Sequence, residues 1–345
     1  MGFAMKQVRV GIVGVTGYAG QEVLRLLLRH PGVRITYLAS SGKSDTAAGL
    51  RSFGGLPVPV EPFEPALCAA KCATAFLGLP HKISAECVPP LLDDGLRVLD
   101  LSAAFRLKDA SLYPKHYEFD HGAPSLLRKA VYGLPELHGK ALRGAKLVAV
   151  PGCYPTGALL AVTPLLRKRI IAGPVILDSK SGVTGAGKEA RGDLMFSEVN
   201  ENVKAYGVFT HRHAPEIGQE LNVAAGRQVA FIFTPHLIPM NRGILTTAYV
   251  RLKPGVDREK VLAVFADAYR TSPFVRVLAE GLPDTRSVRG TNFCDIGVAV
   301  RGRDAIVVSA IDNLGKGAAG EAVQAFNLVH GFPETTGLLG VTGAP

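Results

Sequence analysis

The spacing of hydrophobic positions changes character near the middle of the chain. In the first part, short apolar runs alternate with stretches whose apolar residues recur every three or four positions. VRVGIVGV, RITYLAS, ATAFLGLP and LRVLDLS have the pattern of strands, the second ending near Leu38, and GQEVLRLLLRH that of a helix between the first two. Such alternation implies right-handed crossovers and a parallel sheet, hence a doubly wound α/β domain of the dinucleotide-binding kind over about residues 1–150. Over about residues 151–315, PVILDSK, RQVAFIFTP, GILTTAYVRL, NFCDIGVAV and AIVVSAI have the pattern of strands, several with two-residue alternation. An Arg-Gly-Arg-Asp turn joins the last two, and DREKVLAVFADAYR forms a helix capped by Asp257. This part is expected to be an α+β domain on a mixed, largely antiparallel sheet. GAAGEAVQAFNLVHG, about residues 316–331, reads as an amphipathic helix that packs back on the first domain.

Leu147 to Leu166 contains no charged residue, which raises the question of a membrane span. Pro151, Gly152, Pro155, Gly157 and Pro164 interrupt it, so it divides into a strand, a turn and a buried helix that Pro164 kinks or ends. The start MGFAMKQV has no secretory apolar core.

A net charge of +10 suggests an anionic partner. The basic residues are dispersed, and the densest cluster, Arg167 to Arg169, suits the C-terminal end of a helix, so small anionic ligands are expected and nucleic acid and membrane are not. Five cysteines, odd in number and without paired zinc spacing, exclude a disulfide framework; Cys68 and Cys72 read as small buried hydrophobes. A reducing cytoplasm fits them.

Gly11, Gly14, Gly17 and Gly20 recur every third residue between the first strand and the first helix. Glycines there let backbone N–H groups approach a pyrophosphate at a positive helix end, so Gly14, Thr16, Gly17, Tyr18, Ala19 and Gly20 are candidate cofactor-binding residues. After the second strand come Ser40, Ser41 and Lys43, with no acid before Asp45. Hydroxyls and a cation suit a ribose 2′-phosphate, which favours NADP over NAD.

Cys153, in PGCYPT, stands between the run KLVAV and an apolar helix whose first turn holds Pro155. A helix N-terminus stabilises a thiolate and makes it nucleophilic, whereas a buried thiol closing a turn would have the same spacing. HRHAPEI supplies His211 and His213 as proton partners, with Glu216 nearby. Metal ligation by the two histidines with His236 or Cys153 is the other reading of H-x-H, and no metal site is assigned. A Cys/His pair with a nicotinamide cofactor suggests thiolate attack, a thioester and hydride transfer.

GxTGYAGQE, LGLPH, DLSAAFRL, YGLPEL, PGCYPTGALL, SGVTGAGK, HRHAPEI, LIPMNRGILTT and AIDNLGKGAAGEAVQAFN together resemble the N-acetyl-γ-glutamyl-phosphate reductase family, within the semialdehyde-dehydrogenase-like NADP reductases, over nearly the whole chain. The resemblance implies NADPH-dependent reduction of N-acetyl-L-glutamyl 5-phosphate to the 5-semialdehyde and phosphate, in arginine biosynthesis. It places Cys153 as nucleophile and His211 as acid/base, with His213 beside it. Arg106, Tyr154, Lys188, Arg212 and Glu216 become candidate substrate contacts, the arginines because guanidinium recognises carboxylate and phosphate bidentately. Gly78, Pro80, Ser181, Gly182, Asn313, Lys316 and Gly317 become further cofactor contacts. A homo-oligomer, dimer or tetramer, is expected from the family. One departure is Ala104, where the family commonly has aspartate.

Two other functions share features with this pattern. A reductase of aminoadipyl or glutamyl phosphate on a carrier protein would suit the basic charge, but its G-C-N-A-T motif differs from Cys153, Tyr154 and Pro155. A non-catalytic NADP-binding module with Cys153 as a redox sensor would need the glycine loop but neither histidine.

Overall fold

The computed structural model describes residues 7–40 and 47–340, and their contacts divide them into two units, residues 7–151 with 318–340 and residues 152–317. The first unit is built on parallel strands β1 (Val8–Val13), β2 (Val33–Ser40), β3 (Val60–Pro62), β4 (Thr74–Leu77), β5 (Arg97–Asp100), β6 (Val131–Tyr132) and β7 (Leu147–Ala149), in the order β3-β2-β1-β4-β5-β7-β6. All of β4 and the last four residues of β1 are buried, as strands covered on both faces must be. Helices α1 (Tyr18–Leu27), α2 (Pro65–Lys71), α3 (His81–Asp93), α4 (Leu112–Tyr117), α5 (Pro124–Lys129) and α6 (Pro135–Leu142) complete this part. The strand order reverses between β1 and β4, so the loop after β1 lies at the switch point where doubly wound folds hold ligands. β2 runs past the expected end at Leu38, because the Ala39 carbonyl accepts the N–H groups of both Gly14 and Val15.

The second unit carries β8 (Val175–Ser181), β9 (Lys204–Ala205), β10 (Phe231–Leu237), β11 (Ile244–Arg251), β12 (Val275–Val277), β13 (Cys294–Arg301) and β14 (Asp304–Ile311) in the order β12-β13-β14-β11-β8-β10-β9. Pairing is antiparallel except at β12–β13 and β8–β10, which makes the sheet mixed. Its helices are α7 (Cys153–Arg167), α8 (Phe196–Val199), α9 (Ala214–Ala225) and α10 (Arg258–Tyr269), the last capped by Asp257 Oδ1, which accepts the Lys260 N–H at 2.9 Å.

Residues 154–166 of α7 are buried without exception, so the helix has no polar face and lies enclosed against β11, β14, α9 and α10. Gly157 brings its backbone close to the sheet, where Ser309 Oγ donates to its carbonyl at 2.9 Å. Pro164 does not end the helix at its own position, since the helix runs on to Arg167. A proline has no N–H for the carbonyl four residues back. The Tyr269 hydroxyl of α10 donates to that carbonyl, of Leu160, at 2.6 Å and so replaces the missing helical bond.

The chain then returns to the first unit through a π-helical turn, Gly315–Ala319, and α11 (Gly320–His330), which packs on α1 and α6. The expected amphipathic pattern is not what the helix shows, because Gly320 to Val329 are all buried. Its polar side chains are bonded instead: Asn327 Oδ1 to His30 Nε2 at 2.8 Å, Gln324 Nε2 to Glu136 and Glu334, and His330 Nε2 to Thr74 Oγ1 at 2.9 Å. No helix among the described residues is long and apolar enough to cross a membrane.

Burial holds His330 down to about 4, with Arg97 and His30 adding to the effect, and burial also lowers His30 and His121. These groups are neutral in the fold, and the unfolded chain binds their protons first as pH falls. Stability in urea titrations is therefore expected to be full above about pH 6.5 and to fall by a few kcal/mol between there and pH ~4.

Candidate active site

The glycine loop of the first unit divides into positions that the fold demands and one that it does not. Gly14 has φ +78°, and a Cβ there would lie 2.3 Å from the Gly78 carbonyl oxygen. A Cβ on Gly20 would lie 2.2 Å from the Gly14 oxygen, and one on Gly11 2.7 Å from Cys72 Sγ. Gly17, the N-cap of α1, has φ −77°, and a Cβ there would meet nothing nearer than the Gly14 oxygen at 3.5 Å. Open space at a helix start, where the first-turn N–H groups lack intrahelical acceptors, fits a dinucleotide pyrophosphate. Tyr18 is part exposed there, whereas the Thr16 side chain is buried and its carbonyl accepts from Gln21 Nε2 at 2.8 Å. Gly78 donates to the Val13 carbonyl, Pro80 caps α3, and Ser40 ends β2. Ser41 and Lys43 lie outside the described residues.

Arg106, expected to contact substrate, lies in the loop after β5. It is buried, and its Nε and Nη2 donate to the main-chain carbonyls of Val150, at 2.7 Å, and Leu101, at 2.9 Å. These two bonds pin the loop after β5. Ala104 is fully buried in that loop with its carbonyl bonded to His121 Nε2, and the buried carboxylate nearby is Asp100, which binds Ser84 and Ser102.

In the second unit Gly152 is the N-cap of α7 and Cys153 its first helical residue. The positive end of a 15-residue helix favours the thiolate. A Cβ on Gly317 would come within 2.9 Å of Cys153 Cβ, so glycine there leaves room for the cysteine. Glu216, on the first turn of α9, is fully buried and accepts the Gly152 N–H at 2.8 Å. It positions the cysteine turn.

Tyr154 is also buried. Its hydroxyl donates to the His236 carbonyl at 3.1 Å and accepts from Tyr206 at 3.0 Å, and burial pushes its pKa up. Tyr206 is raised by burial to about 12. Around Tyr154 gather the rings of His211 (5.4 Å), His213 (6.0 Å) and Phe233 (5.4 Å), and the two histidine rings are 4.9 Å apart. Burial, helped by the charge of Arg212, lowers His211 to about 4. Its Nδ1 accepts the His213 N–H at 3.1 Å, so the neutral ring carries its proton on Nε2. His213 caps α9, one turn from Glu216. His236 faces Asp178, Nδ1 to Oδ1 3.1 Å.

Asn313, Lys316, Ser181 and Gly182, expected to contact the cofactor, also lie in this unit. Asn313 accepts the Gly243 N–H and donates to Thr184 Oγ1, Lys316 is fully buried, and Ser181 Oγ donates to the Gly182 carbonyl. A Cβ on Gly182 would lie 2.8 Å from the Met240 and Asn241 oxygens. Lys188 and Arg212 are exposed. Asp312 and Arg242 were not among the expected residues. The buried Asp312 carboxylate takes Arg242 bidentately and the N–H groups of Gly290, Leu314 and Gly315, which fixes the turn ahead of Gly317. The motif AIDNLGK carries this aspartate, but only the pairing with Arg242 reveals its work.

Residues 9–145 match the family model of the semialdehyde dehydrogenase NAD binding domain, and residues 153–313 that of the semialdehyde dehydrogenase dimerisation domain. N-acetyl-γ-glutamyl-phosphate reductase of Geobacter sulfurreducens is 49% identical, covering 98% of this chain and 99% of its own. That of Geobacter metallireducens is 48% identical over 96% of this chain and 98% of its own. The chain belongs to the N-acetyl-γ-glutamyl-phosphate reductase family. This reductase also shares its fold with aspartate semialdehyde dehydrogenase II of Vibrio cholerae, at a TM-score of 0.69 and 19% identity over 94% of this chain and 98% of that one. The reductase thus pairs a nicotinamide dinucleotide domain with a unit that carries Cys153 and the histidines.

Gly14→Ala in this reductase is expected to lose about 2–3 kcal/mol of stability, from the left-handed backbone and the clash with Gly78. Gly17→Ala should unfold within about 0.5 kcal/mol of wild type yet bind nucleotide more weakly, so denaturation and nucleotide titration separate the two roles. Glu216→Leu strands the Gly152 N–H and should cost about 1–3 kcal/mol and most of the activity, while Glu216→Gln, which retains an acceptor, should recover part of both.

Proposed function

We propose that this chain catalyses NADPH-dependent reduction of N-acetyl-L-glutamyl 5-phosphate to N-acetyl-L-glutamate 5-semialdehyde and phosphate through a thioester on Cys153. The observation that carries the reading is Cys153 at the start of α7, on a turn held by the buried carboxylate of Glu216, whose helix is capped by His213. Cys153 Sγ bonds to the acyl carbon and the bond to the phosphate oxygen breaks, releasing phosphate and leaving the thioester. Reduced nicotinamide, when bound, supplies the hydride that this carbon then needs. The resulting alkoxide expels the Cys153 thiolate as the aldehyde forms.

His211 serves this sequence as a neutral Nε2–H donor toward the alkoxide, since its Nδ1 is occupied and burial holds it to about 4. Arg212 and Lys188, both exposed, are assigned to the substrate's anionic groups. For the nucleotide, the loop Gly14 to Gly20 holds the pyrophosphate, and Ser40 with Ser41 and Lys43 favours NADP. Support for a homo-oligomer comes from the dimerisation-domain match and from an exposed apolar row across three strands, where Ile232 pairs with Ile176 and Ile176 with Tyr249. A reducing, cytoplasmic setting suits five free cysteines, the catalytic thiol of Cys153 among them.

The test is the reverse reaction, NADPH formation from N-acetylglutamate semialdehyde and NADP followed by nicotinamide absorbance. Turnover should depend strictly on phosphate. Cys153→Ser should lose turnover by roughly three orders of magnitude or more while binding NADPH as wild type does. Turnover without phosphate, or in the serine variant, would remove the thioester route.

A further inference from the structure

We propose that the pocket where α7 and α9 end is a binding site for a compact dianion, distinct from the cysteine site. The cavity holds about 250 Å³, and its floor is apolar and buried: Leu166, Ile171 and Ala225. Its rim carries Arg169, Arg227 and Lys253, and no acidic residue lines it. Arg227 Nη1 donates only to the neighbouring Gln228 carbonyl, and neither Arg169 nor Lys253 forms an ion pair among the described residues. The adjacent Lys168 is the cation that pairs with Asp267.

Three full charges exceed what the helix ends require. α7 ends at Arg167 and α9 at Ala225, and each C-terminus presents roughly half a negative charge. Together they offset about one cation, which leaves an excess of roughly two positive charges over a concave apolar floor.

The backbone adds a second, independent observation. α9 is closed in the usual way, by a glycine in the left-handed region, Gly226 at φ +64°. After α7 the left-handed residue is Arg169, at φ +54°, one position beyond the C-cap Lys168. A side chain there costs of the order of 1 kcal/mol relative to glycine. The left-handed turn favours glycine, whereas a ligand between Arg169, Arg227 and Lys253 has use for the guanidinium.

The volume lies just below the roughly 300 Å³ at which pockets for drug-sized molecules begin, so the ligand is small: a free or esterified phosphate, or a short dicarboxylate. Cys153 begins the helix whose last turn lines this pocket, and a 15-residue helix spans roughly 22 Å, which separates the two sites.

Sulfate is the probe, added to the full-length protein at constant ionic strength against chloride, with binding read by calorimetry and by the rise in Tm. Wild type should bind sulfate and gain Tm. Arg169→Gly should raise the sulfate-free Tm, by relieving backbone strain and like-charge repulsion, and weaken the pocket's sulfate affinity roughly tenfold or more. Lys253→Gln and Arg227→Gln, both at exposed positions, should weaken it likewise and carry the test if the glycine variant folds poorly. Sulfate bound at a nucleotide or substrate phosphate site would be unaffected by all three. An unchanged sulfate response in the variants, or none in wild type, overturns the proposal and leaves the three cations as compensation for helix ends.

Discussion

A helix with no polar face has to be enclosed, and α7 is such a helix. Each fully buried leucine along it contributes roughly 1.5–3 kcal/mol through removal from water, and Leu159, Leu160 and Leu165 are all completely covered. Strands β11 and β14 lie against it together with α9 and α10, so most of the second unit can be understood as the covering that one apolar segment requires. Enclosure also fixes where the segment begins. The first helical residue is Cys153, and the buried Glu216 holds the preceding N–H, so the placement of the thiol follows from burial farther along the same helix.

Much of the architecture was legible because period and punctuation agree. β1, β4 and β5 fall within apolar runs bounded by glycine, proline or charge, and β13 and β14 flank the Gly302–Arg303 turn that their spacing anticipates. Misjudgements came where a tertiary partner supplied what the local sequence lacked. β2 reaches Ser40 because Gly14 and Val15 donate to Ala39, and α11 loses its polar face because His30, Glu136 and Glu334 satisfy its amides. Neither partner is visible in the segment concerned.

The site divides in the same way. Cys153, His211 and His213 carry reactive atoms whose chemistry depends on residue type and helix position, and both are readable from sequence. Arg106, Tyr154, Glu216, Asn313 and Lys316 are candidate ligand contacts by motif, and a motif alone does not distinguish a residue that touches a ligand from one that holds the residue that does. All five are closed off, and the first four are hydrogen-bonded to backbone or to neighbouring side chains. The glycine loop shows the reverse case: four evenly spaced glycines look equivalent, yet steric necessity accounts for three and leaves Gly17 as the one that packing does not explain.

The bond between Tyr269 and the Leu160 carbonyl has a historical implication. Pro164 and Tyr269 lie on different helices and need never touch, yet the hydroxyl is indispensable only while the proline is present. A lineage could lose the proline first and the hydroxyl afterwards with little penalty, because a residue with an N–H restores the helical bond. The opposite order passes through an intermediate with a buried, stranded carbonyl. The two positions are therefore coupled in the order in which they can drift, and in comparisons among relatives a tyrosine at one should accompany a proline at the other more often than either appears alone.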